Sequence, residues 1–290
     1  MTNFDYLKPG SLDEALMLRA EHGWSSHFLL GGTDLIVEMD QGLLSPKLLI
    51  DLKGVKALRG IRDEPGEVVI GAAVTFSEII KSPLIARDVP ALTEASRLVA
   101  SVGVRNTATL AGNICHAVPS ADGAAPLLIR DAELTVSSAA GKRRLSIHDF
   151  FQGPRKTSLT EQEIVTEIRI RKNTLKFGET YLKLGRYRGE DLAQVGVAVS
   201  VDEAFQYKIA YAAVGPVPAR IYKAEEILQG APPTPEKITA AVEAIKNTVS
   251  PIDDIRSSRE YRLYMCGVMF EKAVRAAMER MKGTEAGRQS

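Results

Sequence analysis

The chain has 290 residues, with 37 Lys plus Arg against 36 Asp plus Glu and a formal net charge of +1. Near-neutrality excludes a general nucleic-acid binder, which needs a clustered basic excess to displace counterions from phosphates. An apolar share of 45% and a charged share of 25% exclude disorder over most of the length and allow one large domain or two modest ones.

Two cysteines, Cys115 and Cys266, are too few for a disulfide framework, an iron–sulfur cluster or a structural zinc site of their own. The four histidines, His22, His27, His116 and His148, show no metal-ligand spacing. Met1 to Gly10 has no basic start followed by an apolar stretch, and no apolar run is long enough to span a bilayer. The expectation is a cytoplasmic chain without a membrane span.

Pro9-Gly10 punctuates the start, Ser11 can cap a helix, and Glu14 stands where a capping-box partner belongs. Leu12, Ala15, Leu16 and Leu18 to Ala20 form its apolar face, which ends near Gly23. Phe28 to Leu30 reads as a short strand running into Gly31-Gly32, Thr33 to Met39 as a short helix, and Lys47 to Leu52 as another strand. Residues 1–55 thus read as a β–α–β-like unit.

Glu67 to Ala73 is a strand, and Thr75 with Glu78 starts a helix. Leu84 to Val99 is mostly helical with a break at Pro90. Val102 to Ala117, poor in charge and without a clean period, predicts a buried irregular connection. Leu127 to Ser137 and Arg143 to Ile147 read as strands around Ala140-Gly141, and Ile164 to Ile170 alternates as a half-buried strand. From Lys176 onward, Thr180 to Arg186, Val195 to Val201 and Tyr207 to Val214 predict an antiparallel meander. Ile221 to Leu228, Pro235 to Val249 and Glu260 to Lys282 then predict helices. Strands followed by helices make this an α+β unit.

Two stretches can carry chemistry. In Leu29 to Leu35 a strand ends in two glycines, which allow positive φ and let an anion approach main-chain N–H groups. The same stretch also suits an ordinary tight turn. In Arg105 to Asp122, Thr109 offers a hydroxyl, Gly112 an unhindered N–H, and Asn113 both a donor and an acceptor. Such a loop satisfies itself, binds water, or takes a ligand. Asp122 can cap a helix over Gly123 to Ile129 or hold a ligand hydroxyl. Two glycine loops can pinch the pyrophosphate of a dinucleotide between them. No Walker or Rossmann glycine pattern is present, so a flavin dinucleotide on a different fold is the reading.

Gly31-Gly32-Thr33-Asp34-Leu35 and Thr109-Leu110-Ala111-Gly112-Asn113, with Pro119 and Asp122 downstream, resemble the flavin-binding medium subunit of molybdenum hydroxylases, the xanthine dehydrogenase and carbon monoxide dehydrogenase family. The resemblance runs from Phe4 to about Lys282 and includes Ser45-Pro46-Lys47 and Gly215 to Arg220. It implies a two-subdomain FAD-binding fold of the vanillyl-alcohol oxidase type over residues 1–175, divided at 55 and 56. A C-terminal α+β domain over 176–285, a three-stranded antiparallel sheet with a helix bundle, follows. It implies that Phe28, Leu29, Leu30, Gly31, Gly32, Thr33, Asp34 and Leu35 wrap the FAD pyrophosphate. Thr109, Gly112 and Asn113 form the second loop, Asp122 bonds the cofactor, and Val165 or Thr166 with Lys183 lies near it. Ala111 stands where many relatives have glycine, and His116 does not match the histidine that holds FAD covalently in some proteins of the wider fold, so FAD is expected to be non-covalent. The resemblance also implies a large molybdopterin-binding subunit and a small [2Fe-2S] subunit as partners, in a dimer of heterotrimers, with NAD or another electron acceptor. A self-sufficient oxidase of the same fold and a structural subunit without FAD are the alternatives.

Overall fold

The computed structural model describes residues 3–187 and 190–283. The N-terminal unit contains β1 (Asp5–Leu7), α1 (Leu12–His22), β2 (Ser26–Leu29), α2 (Leu35–Asp40) and β3 (Leu48–Asp51). Ser11 caps α1 by accepting the Glu14 N–H at 3.1 Å, while the Glu14 carboxylate reaches past it to the Gly10 N–H at 2.7 Å. The strands form a parallel sheet in the order β1-β3-β2. Central β3 is buried along its length, as a parallel strand covered on both faces should be.

The second unit contains β4 (Ile61–Glu64), β5 (Glu67–Gly71), α3 (Phe76–Lys81), α4 (Pro83–Asp88), α5 (Pro90–Leu98), α6 (Val102–Arg105), α7 (Leu110–His116) and α8 (Ala124–Ile129). It continues with β6 (Glu133–Ser138), β7 (Gly141–Ser146), β8 (Phe151–Gly153), β9 (Lys156–Thr157) and β10 (Ile164–Arg171). Its sheet is antiparallel in the order β4-β5-β10-β6-β7, and β8 and β9 form a separate hairpin. Thr75 and Glu78 close a full capping box at the start of α3.

Two expectations are corrected here. Val102 to Ala117 is not irregular; it holds α6 and α7, capped by Ser101 and Thr109. Leu127 to Ser137 is not one strand. Leu127 to Ile129 closes α8, the chain reverses at Asp131 with φ +46°, and β6 starts only at Glu133. Every residue of α8 is buried, so its apolar run has no period to separate helix from strand.

The C-terminal part contains β11 (Phe177–Leu184), β12 (Val195–Asp202), β13 (Tyr207–Ala212), β14 (Ala219–Arg220), α9 (Tyr222–Leu228), α10 (Pro235–Thr248) and α11 (Arg259–Gly283). The meander is as expected, with the two-residue β14 added at its edge. Along β12, Val195, Val197, Val199 and Val201 face one way, into a core shared with Phe270 and Val274 of α11. Ala198, Ala210 and Ala212 face the other way and join the core of the second unit. Small side chains on that face let α8 come close to the sheet. The sheet therefore belongs to two cores, with β11 against α5 and with β12 and β13 against α8. Among the described residues, no helix is long and apolar enough to cross a membrane.

Candidate functional site

β2 ends at Leu29, and a short loop turns the chain into α2. The two glycines in this loop are needed for different reasons. A Cβ on Gly31 would lie 2.3 Å from the Thr107 carbonyl oxygen and 2.8 Å from Ala108 Cα, so only glycine lets the two loops touch. Gly32 has φ +71°, in the left-handed region that disfavours side chains. None of the described residues accepts a hydrogen bond from the Gly32, Thr33 or Asp34 main-chain N–H. Three successive open N–H groups in a turn make a concave donor set suited to an oxyanion.

The second loop satisfies part of its own chemistry. The Thr109 hydroxyl accepts the Gly112 N–H at 3.0 Å and caps α7, and Asn113 Oδ1 accepts the Gly123 N–H at 3.1 Å. These bonds fix the loop and leave the Asn113 amide NH₂ without an acceptor among the described residues. Thr109 also bridges to Thr75, and Phe76 N–H donates to Ala108 C=O at 3.1 Å, which pins the loop to the start of α3.

Both loops open onto one cleft of about 1280 Å³. Phe28, Leu29, Leu30, Gly31, Gly32, Thr33, Asp34 and Leu35 border it, as do Thr109, Gly112, Asn113, Asp122, Val165 and Lys183. Thr166 is not on the cleft. It lies inside the sheet, where its hydroxyl donates to Thr135 C=O at 3.1 Å and meets the Ser137 hydroxyl at 3.1 Å. The ladder between β10 and β6 shifts register between Val165 and Glu167, and past that point the strand runs inside the sheet and away from the cleft.

Asp122 does not cap α8, because Gly123 holds that position and has no side chain to accept from the first helical N–H groups. Its carboxylate instead joins the second unit to β11. Oδ1 accepts from the Tyr181 hydroxyl at 2.7 Å, and Oδ2 accepts from Lys183 Nζ at 2.8 Å. Lys183 Nζ also donates to Leu98 C=O at 3.0 Å. Burial pushes the Asp122 carboxyl up, against the pull of the Lys183 charge and the two hydrogen bonds. An ammonium has three donors, so one N–H of Lys183 is left for the cleft.

A second polar cluster lies on the same cleft and has no signal in the sequence. His116 Nε2 is 2.9 Å from Glu38 Oε1, and Nδ1 is 3.6 Å from Asp34 Oδ2. Arg155, on the turn between β8 and β9, donates to the same Glu38 oxygen. Burial resists ionisation of Glu38, but the bonds from His116 and Arg155 prevail and hold its carboxyl below the usual range. Glu38 is separated from these partners by 78 and 117 residues, so no local spacing shows the cluster. Cys115 also borders the cleft, and burial pushes its thiol up to about 12, leaving no nucleophilic thiolate near neutrality. Among the described residues, no group of His, Cys, Asp and Glu is arranged to hold a metal ion.

Residues 2–172 match the family model for the FAD binding domain in molybdopterin dehydrogenase, and residues 179–277 match that for the CO dehydrogenase flavoprotein C-terminal domain. The chain is 34% identical over 281 residues to the carbon monoxide dehydrogenase medium chain of Hydrogenophaga pseudoflava, covering 96% of this chain and 98% of that one. It is 31% identical over 279 residues to the putative xanthine dehydrogenase FAD-binding subunit of Escherichia coli, covering 94% and 95%. A solved carbon monoxide dehydrogenase from H. pseudoflava superposes with a TM-score of 0.93 at 34% identity, over 96% of this chain and 98% of that one. Quinoline 2-oxidoreductase from Pseudomonas putida 86 superposes with a TM-score of 0.90 at 27% identity, over 97% and 99%.

Proposed function

This chain belongs to the FAD-binding family of molybdopterin dehydrogenases, and from that premise we propose that its cleft holds FAD non-covalently and serves electron transfer within a molybdenum hydroxylase. The observation that carries the reading is the contact of the two glycine loops, with three open N–H groups on the first and a fixed Asn113 amide on the second. That donor set fits a pyrophosphate. The long cleft leads from there to Lys183, whose spare N–H offers a donor to the rest of the cofactor. Val165 supplies apolar wall between them.

Bound FAD supplies the redox chemistry. The residues of this chain bind it, orient it and exclude water from it, and no general acid or base is assigned. Non-covalent binding is supported by the two side chains best placed to attach. The His116 ring nitrogens face carboxylates, and the Cys115 thiol is protonated near neutrality. In this reading residues 1–175 hold the cofactor, and 176–285 brace the cleft through β11. Electrons would arrive from a small [2Fe-2S] subunit fed by a large molybdopterin-binding subunit, in a doubled heterotrimer, and leave to NAD or another acceptor. The relatives' own names, medium chain and FAD-binding subunit, support this division of labour.

The test is an absorbance spectrum of the purified chain before and after acid precipitation. Flavin bands should move to the supernatant, with FAD identified by chromatography. A chain that stays colourless with excess FAD and with its co-expressed partner subunits would refute the reading. Colour that stays with the precipitate would refute non-covalent attachment.

A further inference from the structure

The first glycine loop offers three open N–H groups to an anion, yet two carboxylates, Asp34 and Glu38, stand beside them. Glu38 lies on α2 and is buried, and its carboxyl is held below the usual range, so it is ionised at neutral pH. The Asp34 carboxylate caps no N–H, and its side chain is 54% exposed on the border of the cleft. Two negative charges beside a donor set for an anion repel that anion unless cations offset them.

Among the described residues, two side chains pair with these carboxylates. Arg155 donates to Glu38 Oε1 and is charged at every working pH. Its main-chain N–H donates to Ala117 C=O at 2.8 Å, next to His116, so the β8–β9 hairpin and the end of α7 hold the cluster together. His116 is the other partner. Its Nε2 faces Glu38 Oε1 at 2.9 Å, and its Nδ1 faces Asp34 Oδ2 at 3.6 Å. Ionised carboxylates only accept, and a neutral imidazole has one N–H, so only the imidazolium serves both sides. With His116 neutral, Asp34 and Glu38 outnumber Arg155 by one charge; with His116 protonated, the cluster is neutral. A second ring, His27 of β2, also feels Glu38. Burial and the Arg19 charge push its imidazole down, against the pull of Glu38, and keep it neutral.

We propose that a diphosphate ligand entering the cleft draws a proton from water onto His116, which removes the surplus negative charge beside the first glycine loop. Before binding, water screens the half-exposed Asp34. A ligand expels that water, so the surplus carboxylate meets the phosphates at a lower dielectric and protonation of His116 becomes more favourable. The complex then holds the proton more tightly than the free chain does, and affinity rises as pH falls. The cluster requires only a diphosphate; that the diphosphate belongs to FAD rests on the function proposed above.

Calorimetric titration of the FAD-free full chain with FAD, repeated in buffers of different ionisation heat, counts the protons taken up. ADP-ribose is the second probe, with the same doubly esterified diphosphate and no flavin. The phosphates of both ligands stay ionised near neutrality, so a pH dependence reports the protein. Net proton uptake is expected, and the Kd for FAD should fall at least about threefold from about pH 8 to about pH 6, within the limit of about tenfold per pH unit set by one proton. His116→Gln should abolish the uptake, flatten the profile and weaken binding mainly at the acid end. Asp34→Asn removes the surplus charge directly and should tighten binding at the alkaline end, the opposite of losing a merely structural contact. If His116→Gln does not fold, the parent chain's proton count and Asp34→Asn still decide. FAD binding without proton uptake, a parental pH profile in His116→Gln, or weaker alkaline binding by Asp34→Asn would overturn the proposal and leave the cofactor reading standing. Proton-linked binding of ADP-ribose by a chain that takes up no FAD, even with its partner subunits, would do the reverse. Binding of neither ligand would overturn both.

Discussion

Alanine at Gly31 is expected to break FAD binding through the main chain. The added Cβ would sit 2.3 Å from the Thr107 carbonyl oxygen. A carbon and a carbonyl oxygen need roughly 3.3 Å, so the two loops must part by about 1 Å. The obstacle is backbone, at Thr107 and Ala108, and no rotamer change can clear it. Overpacking of this kind costs about 1–3 kcal/mol. At ~1.4 kcal/mol per tenfold, FAD affinity should fall roughly ten- to hundredfold, and the melting temperature should drop with it. Gly32→Asn is the comparison. Its φ of +71° is one that asparagine adopts at modest cost, and a Cβ there would meet only the movable ends of Leu29 and Ile36. Flavin fluorescence titration separates the two variants. Gly31→Ala with unchanged FAD affinity, or Gly32→Asn as the weaker binder, would refute the reasoning.

Lys183→Met leaves the buried Asp122 carboxylate with only the Tyr181 hydroxyl, and breaking such a pair should cost about 3–5 kcal/mol in urea denaturation. Adding Asp122→Asn should recover part of that loss, and no recovery would mean the lysine acts by packing alone. Arg143, bidentate at 2.6 and 2.9 Å, holds the Glu163 carboxyl down to about 2, against burial and with help from the Thr160 N–H. The folded state thus binds this proton more weakly than the unfolded chain, whose value is near 4.5. The stabilisation is complete above that pH and fades as pH falls toward about 2. Arg143 is 43% exposed, so screening limits the gain to about 1 kcal/mol. Arg143→Gln should lower the urea midpoint at pH 7 and converge with the parent chain in acid. Asp131→Asn keeps a residue that tolerates φ +46° but removes the charge that gathers His148, Lys208 and Arg220 across the two cores. A loss of about 1–2 kcal/mol is expected, and an unchanged melting temperature would contradict it.

What can be read from the sequence depends on how local the physics is. Thr75 with Glu78, Ser11 with the α1 N–H groups, and the alternating valines of β12 act within a few residues of each other, and each element appears where it was expected. β1 left no trace because its three residues are all exposed; only pairing with Leu48–Ile50 makes it a strand. α6 and α7 span four and seven residues, too short to show a period, although Ser101 and Thr109 were available as caps. The site divides in the same way. Gly31 and Gly32 mark a cradle formed by the shape of the main chain, which a short run of residues encodes. The charge beside it is set by Glu38, His116 and Arg155, which meet only after the hairpin β8–β9 folds onto α2. Exchanging any of these three would alter the field at the first glycine loop without touching either glycine motif. Family membership therefore speaks for the cradle, while the electrostatics around it must be read from the fold.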